Sequence, residues 1–118
     1  MAIVPFTNVN NLLENTLWTS GPLASGDETG VLKITEDQAD VTVHIYGTFG
    51  GATVSVQGSV LGTQFNTVDD AYGLPMSYTS TGVLKPIGPV VKALKVTVTG
   101  GAGVSVVVDI LTTKSIYR

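Results

Sequence analysis

The chain has no cysteine, which excludes a disulfide framework, a thiol nucleophile and a thiolate metal site. Histidine and tryptophan each occur once, as His44 and Trp18. Charged residues are 13% of the 118, against a usual share of about 25%. With 43% of residues hydrophobic, the composition excludes an extended, self-repelling disordered chain. No apolar run approaches ~20 residues, so no membrane span is expected. No basic stretch leads into an apolar one at the start, so no signal peptide is expected either. None of the asparagines begins an Asn-x-Ser/Thr sequon. The net charge of −3 disfavours generic nucleic-acid binding. A chain of this length supports one core. Without disulfides or a metal it must rely on that core or on oligomerisation. So little charge also makes a partner-buried surface plausible.

What the sequence does have is β-branched residues. Val, Thr and Ile number 18, 16 and 6, a third of the chain, and such side chains pack well on pleated sheets. Fourteen glycines and five prolines supply turns. Two runs alternate cleanly. In 41–49, Val41, Val43 and Ile45 share one face, and Thr42, His44 and Tyr46 the other. In 52–60, Val54, Val56 and Val60 read as inward, and Thr53, Ser55, Gln57 and Ser59 as outward. Gly50-Gly51 between them predicts a hairpin. A second hairpin is predicted from LKVTVT (94–99), the turn Gly100–Gly103 and VSVVVDIL (104–111). Shorter strands are expected at 31–34, 64–68 and 76–80. Pro86 and Pro89 assign 82–91 to an irregular edge or crossing loop. Residues 1–16 read as an N-terminal arm or a first strand, with one helical turn expected over Asn11–Asn15. Residues 17–118 read as the main domain, and Glu36–Asp40 as an acidic connection. The expected fold is all-β: an antiparallel, jelly-roll-like β-sandwich of seven or eight short strands.

The last strand breaks strict alternation. Val104, Val106, Val108 and Ile110 take the core face. Val107 and Leu111 then share the other face with Ser105 and Asp109. Apolar residues on both faces mean a doubly buried strand or a surface covered by a partner. Phe49, between Gly47 and Gly50, is either folded onto the core or offered to a partner. Residues 1–70 carry a balance of −7 and 71–118 one of +4; this either orients the protein on a charged surface or is scatter over a mixed fold.

The catalytic inventory is small. His44 lies mid-strand, with Ser55 and Ser59 within reach on the strand predicted to neighbour it. No Gly-x-Ser-x-Gly elbow is present, and an outward polar residue beside Tyr46 is the simpler reading. Asp27-Glu28 and Asp69-Asp70 lack the spacing of a calcium loop and read as solvated turn residues. GTFGGAT and TGGAGV lead into strands, whereas a phosphate cradle leads into a helix N-terminus. Trp18 reads as a core anchor. No catalytic residue, cofactor or metal site is therefore expected.

The stretch GTFGGATVSVQGSVLGTQFNTV (47–68), with ALKVTVTGGAGVSVVVDI (93–110), resembles small structural proteins of tailed bacteriophages. It departs from their pattern at Leu61-Gly62, where Asp-Gly is usual, and at Lys95, where Arg is frequent. The resemblance implies a non-enzymatic virion component. The leading expectation is a capsid decoration (cement) protein on the capsid surface, docked on the major capsid protein and self-associated, with a homotrimer ahead of a dimer. Neither nucleic acid nor membrane is expected as a partner. The alternative is a tail or fibre module that binds carbohydrate or a receptor through Tyr46, Tyr72 or Tyr78 with Asp69 and Asp70. Under the leading reading the expected contacts are Ile3, Val4, Phe6, Phe49, Val107 and Leu111. Deletion of residues 1–8 is then expected to weaken docking without unfolding the domain.

Overall fold

Alternating β-branched and small polar residues build the long interior strands, and glycine-rich turns decide where each run goes next. The computed structural model describes residues 2–11, 15–34, 38–79, 83–88 and 91–114. In chain order its strands are β1 (Ile3–Val4), β2 (Thr7–Asn11), β3 (Asn15–Leu23), β4 (Glu28–Thr29), β5 (Leu32–Lys33) and β6 (Gln38–Thr48). They continue with β7 (Thr53–Ser59), β8 (Asn66–Thr67), β9 (Ser77–Tyr78), β10 (Val83–Pro86), β11 (Ala93–Thr99) and β12 (Ser105–Lys114).

Two sheets form. One runs β1-β4-β11-β7-β8, with β5 added on β11 and β9 on β7; the other runs β10-β6-β12-β3-β2. Pairing is antiparallel except between β1 and β4. Among the described residues twelve strands replace the seven or eight expected, because five have only two residues and are too short to show a period. Asn11 ends β2 and Asn15 begins β3, so both ends of the expected helical turn are strand; residues 12–14 lie outside the described residues. Of the acidic connection, Gln38–Asp40 already belongs to β6, and Glu36 and Asp37 lie outside the described residues.

Neither predicted hairpin forms. β6 pairs with β10 and β12, whereas β7 pairs with β8, β9 and β11. Gly50-Gly51 therefore carries the chain from one sheet to the other, and Gly100–Gly103 does the same between β11 and β12. Alternation reports which face is buried but not which strand lies alongside. The close approach of these two crossings explains their glycines. Gly47 (φ +121°) and Gly50 (φ +57°) have positive φ, and a Cβ on either would collide with the carbonyl oxygen of Ser105 or Ala102 respectively. The amide of Ala102 donates to the carbonyl of Gly50 at 3.0 Å, so the crossings are stacked.

The core lies between the sheets. Val43 and Ile45 of β6 and Val106, Val108 and Ile110 of β12 face Val54 and Val56 of β7 and Leu94, Val96 and Val98 of β11. Each contributes roughly 1.5–3 kcal/mol of burial. Trp18 packs against this cluster from β3. Val60, expected to point inward, lies just past β7 and is exposed.

Both open edges of the sandwich are crossed by chain. On one, the N-terminal segment runs from β1 in the seven-stranded sheet to β2 in the five-stranded sheet. Its Ala2 and Val4 carbonyls accept the amides of Glu28 (2.9 Å) and Gly30 (2.8 Å). Ser20 Oγ donates to the Val4 carbonyl at 2.8 Å. Asp27 accepts the amides of Ala2 (3.0 Å) and Ala24 (2.9 Å), and these bonds, Ala24's first, hold its carboxyl below the usual carboxylate range. On the other edge, the loop 68–76 leaves β8 and reaches β10. Ala71 N–H donates to the Pro86 carbonyl (3.1 Å), and Gly88 N–H to that of Asp69 (3.0 Å).

Candidate interaction surfaces

The outer face of the five-stranded sheet follows from its register. β12 sets Val107 opposite Tyr46, Asp109 opposite His44 and Leu111 opposite Thr42 on β6. On its other side, Asp109 and Leu111 meet Thr19 and Leu17 of β3. β10 adds Leu84 beside His44 and Pro86 beside Thr42. Leu84 is 61% exposed and Leu111 38%. Tyr46 Oη donates to Asp109 Oδ2 at 3.0 Å, and this bond, before desolvation, raises the phenol above its ordinary value. The rings of His44 and Tyr46 lie 4.8 Å apart. His44 thus sits on a sheet face beside Tyr46. The serines considered for it are on the opposite sheet, where Ser55 Oγ meets Ser77 Oγ at 3.3 Å and Ser59 Oγ accepts the Gly62 amide at 2.7 Å.

The outer face of the seven-stranded sheet has another character. β7 presents Thr53, Ser55 and Gln57 beside Thr99, Thr97 and Lys95 of β11. Lys95 Nζ bonds Glu28 at 3.2 Å and lies 4.8 Å from the Phe65 ring centroid. This carpet of short polar side chains suits contact with water.

Exposed apolar side chains also gather on the loops after β7. Val60 and Leu61 form a bare tip, Leu61 being 81% exposed. Beside it is a groove of about 280 Å³ lined by Gly58, Gln64 and Val91 among others. A wider groove of about 540 Å³ is lined by Gly58, Asn66, Val68, Asp69, Asp70 and Gly88. Tyr72 stands exposed near it, with Lys85 Nζ 5.6 Å from its ring centroid. Asp70 is not a solvated turn residue: it is 3% exposed, and its Oδ1 accepts the amides of Tyr72 (2.8 Å) and Leu74 (3.1 Å). Among the described residues no three His, Cys, Asp or Glu side chains are grouped to hold a metal.

The expected contact residues are scattered. Val107 and Leu111 do share the open face. Ile3 is 63% exposed at the sandwich edge, whereas Val4 and Phe6 pack against the core. Phe49 is withdrawn from the contact set. It is 5% exposed and closes the end of the core, because the Gly50-Gly51 crossing turns it inward. The tip at Val60-Leu61 was missed, since alternation continued past β7 assigned Val60 to the interior.

No protein family and no curated protein matches this sequence. Solved structures do match in fold. The SPBc2 prophage-derived protein YomS superposes with a TM-score of 0.65 at 10% identity, over 89% of this chain and 99% of that one. The PBSX exported protein XepA superposes at 0.64 and 12% identity, over 86% of this chain and 39% of XepA. A cupin domain from Bordetella pertussis superposes at 0.53 and 14% identity, over 95% and 94%. The fold is all-β and jelly-roll-like, two sheets packed face to face, as expected.

Proposed function

We propose that this chain is a non-enzymatic structural protein of a bacteriophage, and more narrowly a decoration protein bound to the outer surface of the capsid. The observation that carries this reading is the superposition on a prophage-derived protein over 99% of that protein's length. The molecule is consistent with it. Among the described residues the space between the sheets is filled mainly by aliphatic side chains. Apolar side chains are displayed instead on an open sheet face and at the Val60-Leu61 tip. A decoration protein acts by docking: each copy buries surface against capsid subunits, and a repeating lattice multiplies weak contacts. The partners on this reading are the major capsid protein and other copies of this chain.

The test is the copy number of the chain in purified particles, measured by quantitative mass spectrometry against the major capsid protein. A fixed ratio amounting to hundreds of copies supports decoration of the lattice. A handful of copies moves the reading to a tail or fibre module, for which the exposed Tyr72 beside Lys85 is the natural contact for a sugar or receptor. Absence from particles overturns both.

A further inference from the structure

The outer face of the five-stranded sheet is matched to itself, and we infer that it is the interface of a two-fold dimer of this chain. Three properties of the face argue for a second copy.

The first is size. Strands β6, β12, β3 and β10 have 11, 10, 9 and 4 residues. At ~3.3 Å per residue and ~4.8 Å between strands they cover roughly 540 Å² of flat sheet, or about 1,100 Å² for two copies. That clears the roughly 1,000 Å² at which a specific interface begins.

The second is composition. Leu17, Leu84, Pro86, Val107 and Leu111 point outward in the company of threonines. The opposite sheet has only Ser, Thr, Gln and Lys in the equivalent central positions of β7 and β11. One outer face is thus suited to water and the other to packing against a second sheet.

The third is charge, which also fixes the symmetry axis. Asp109 and His44 are cross-strand partners at the centre of the face. If a two-fold axis ran along β12, each Asp109 would face its own copy, and like charges would repel. If the axis runs parallel to the strands between β6 and β12, residues keep their height and the two strands exchange places. His44 of each copy then faces Asp109 of the other. The same operation sets Val107 against Tyr46, Leu111 against Thr42 and Leu17 against Pro86. Asp40, which lies opposite Thr113 in the register, faces Thr113 of the second copy. Each apolar side chain gains an apolar or threonine partner, and no acid meets an acid.

This pairing does not depend on where the chain resides in a particle, so its test is separate from the copy-number measurement. The experiment is sedimentation equilibrium of the full chain over a concentration series reaching tens of micromolar. The expected species has twice the 12.2 kDa chain mass. Leu84→Glu and Leu111→Glu alter exposed side chains and should each weaken association by about tenfold or more, with circular dichroism and melting of the dilute monomer unchanged. His44→Glu should weaken it as well, whereas His44→Lys, which places a cation opposite Asp109, should preserve it. A monomer throughout the series, a trimer, or a dimer indifferent to both leucine variants would overturn the inference. A monomer that binds capsid subunits through this face would assign the face to that partner instead.

Discussion

Asp70 carries a structural role that its residue type and neighbours do not announce. Aspartate is favoured in turns whether its carboxylate faces water or folds back onto its own backbone, so Asp69 and Asp70 look alike in sequence. Yet Asp70 is buried and holds two amides of the loop that spans a sandwich edge. Asp69 is exposed. Replacing Asp70 by Ala strands the amides of Tyr72 and Leu74, at a cost of roughly 1–3 kcal/mol. Urea denaturation should show that loss for Asp70→Ala and a smaller one for Asp70→Asn, whose carbonyl still accepts. Equal stability of Asp70→Ala and the parent would mean that the loop's backbone bonds, among them those to Pro86 and Gly88, suffice to hold it. Phe49 illustrates the same limit from the apolar side. A large ring between glycines is compatible with an exposed tip and with a plug, and only the direction of the next strand decides between them.

For whole elements, the inward and outward faces of β6, β7 and β12 were readable from period-two alternation, and the structure agrees at Val43, Ile45, Val54, Val56, Val106, Val108 and Ile110. Partners were not readable, because a run that folds back alongside its predecessor and one that crosses the core bury the same residues. The open outer face was half visible: Val107 and Leu111 broke the alternation, but Leu84, Pro86 and Leu17 joined them only through pairing. The N-terminal segment was ambiguous for a related reason. Two residues of β1 show no period, yet they form an edge strand tied to Glu28, Gly30 and Ser20. Removal of residues 1–8 is therefore a change to the fold as well as to a surface. It uncovers core contacted by Val4 and Phe6, which should lower stability by roughly 3 kcal/mol or more, a large part of the 5–15 kcal/mol typical of a domain. Thermal unfolding of the truncated chain should report it. An unchanged melting temperature would return these residues to the status of a dispensable arm.

The molecule as a whole is threaded so that neither sheet exists without the other. Taken in order, the strands of the described residues change sheet seven times between β1 and β12. Consecutive strands pair with each other at β2–β3 and β7–β8, so most of the long pairings join distant segments, such as β3 with β12 and β6 with β12. Such pairings become favourable only after long loops close, which places folding in the slow range of two-sheet domains. The same threading demands that the two sheets unfold together. In native-state hydrogen exchange, central amides of β7 and β11 should share one opening free energy with those of β6 and β12, equal to the global unfolding value. The loop 68–76 and the two-residue strands β8 and β9, held by fewer bonds at the edge, should exchange through smaller openings. If the five-stranded sheet exchanged at a distinctly lower energy than the seven-stranded one, the stacked crossings at Gly50 and Ala102 would not couple them. The shared core would then be two separable halves. A single shared value would make the sandwich one rigid body, the property a component needs if force applied at one face is to be borne at the other.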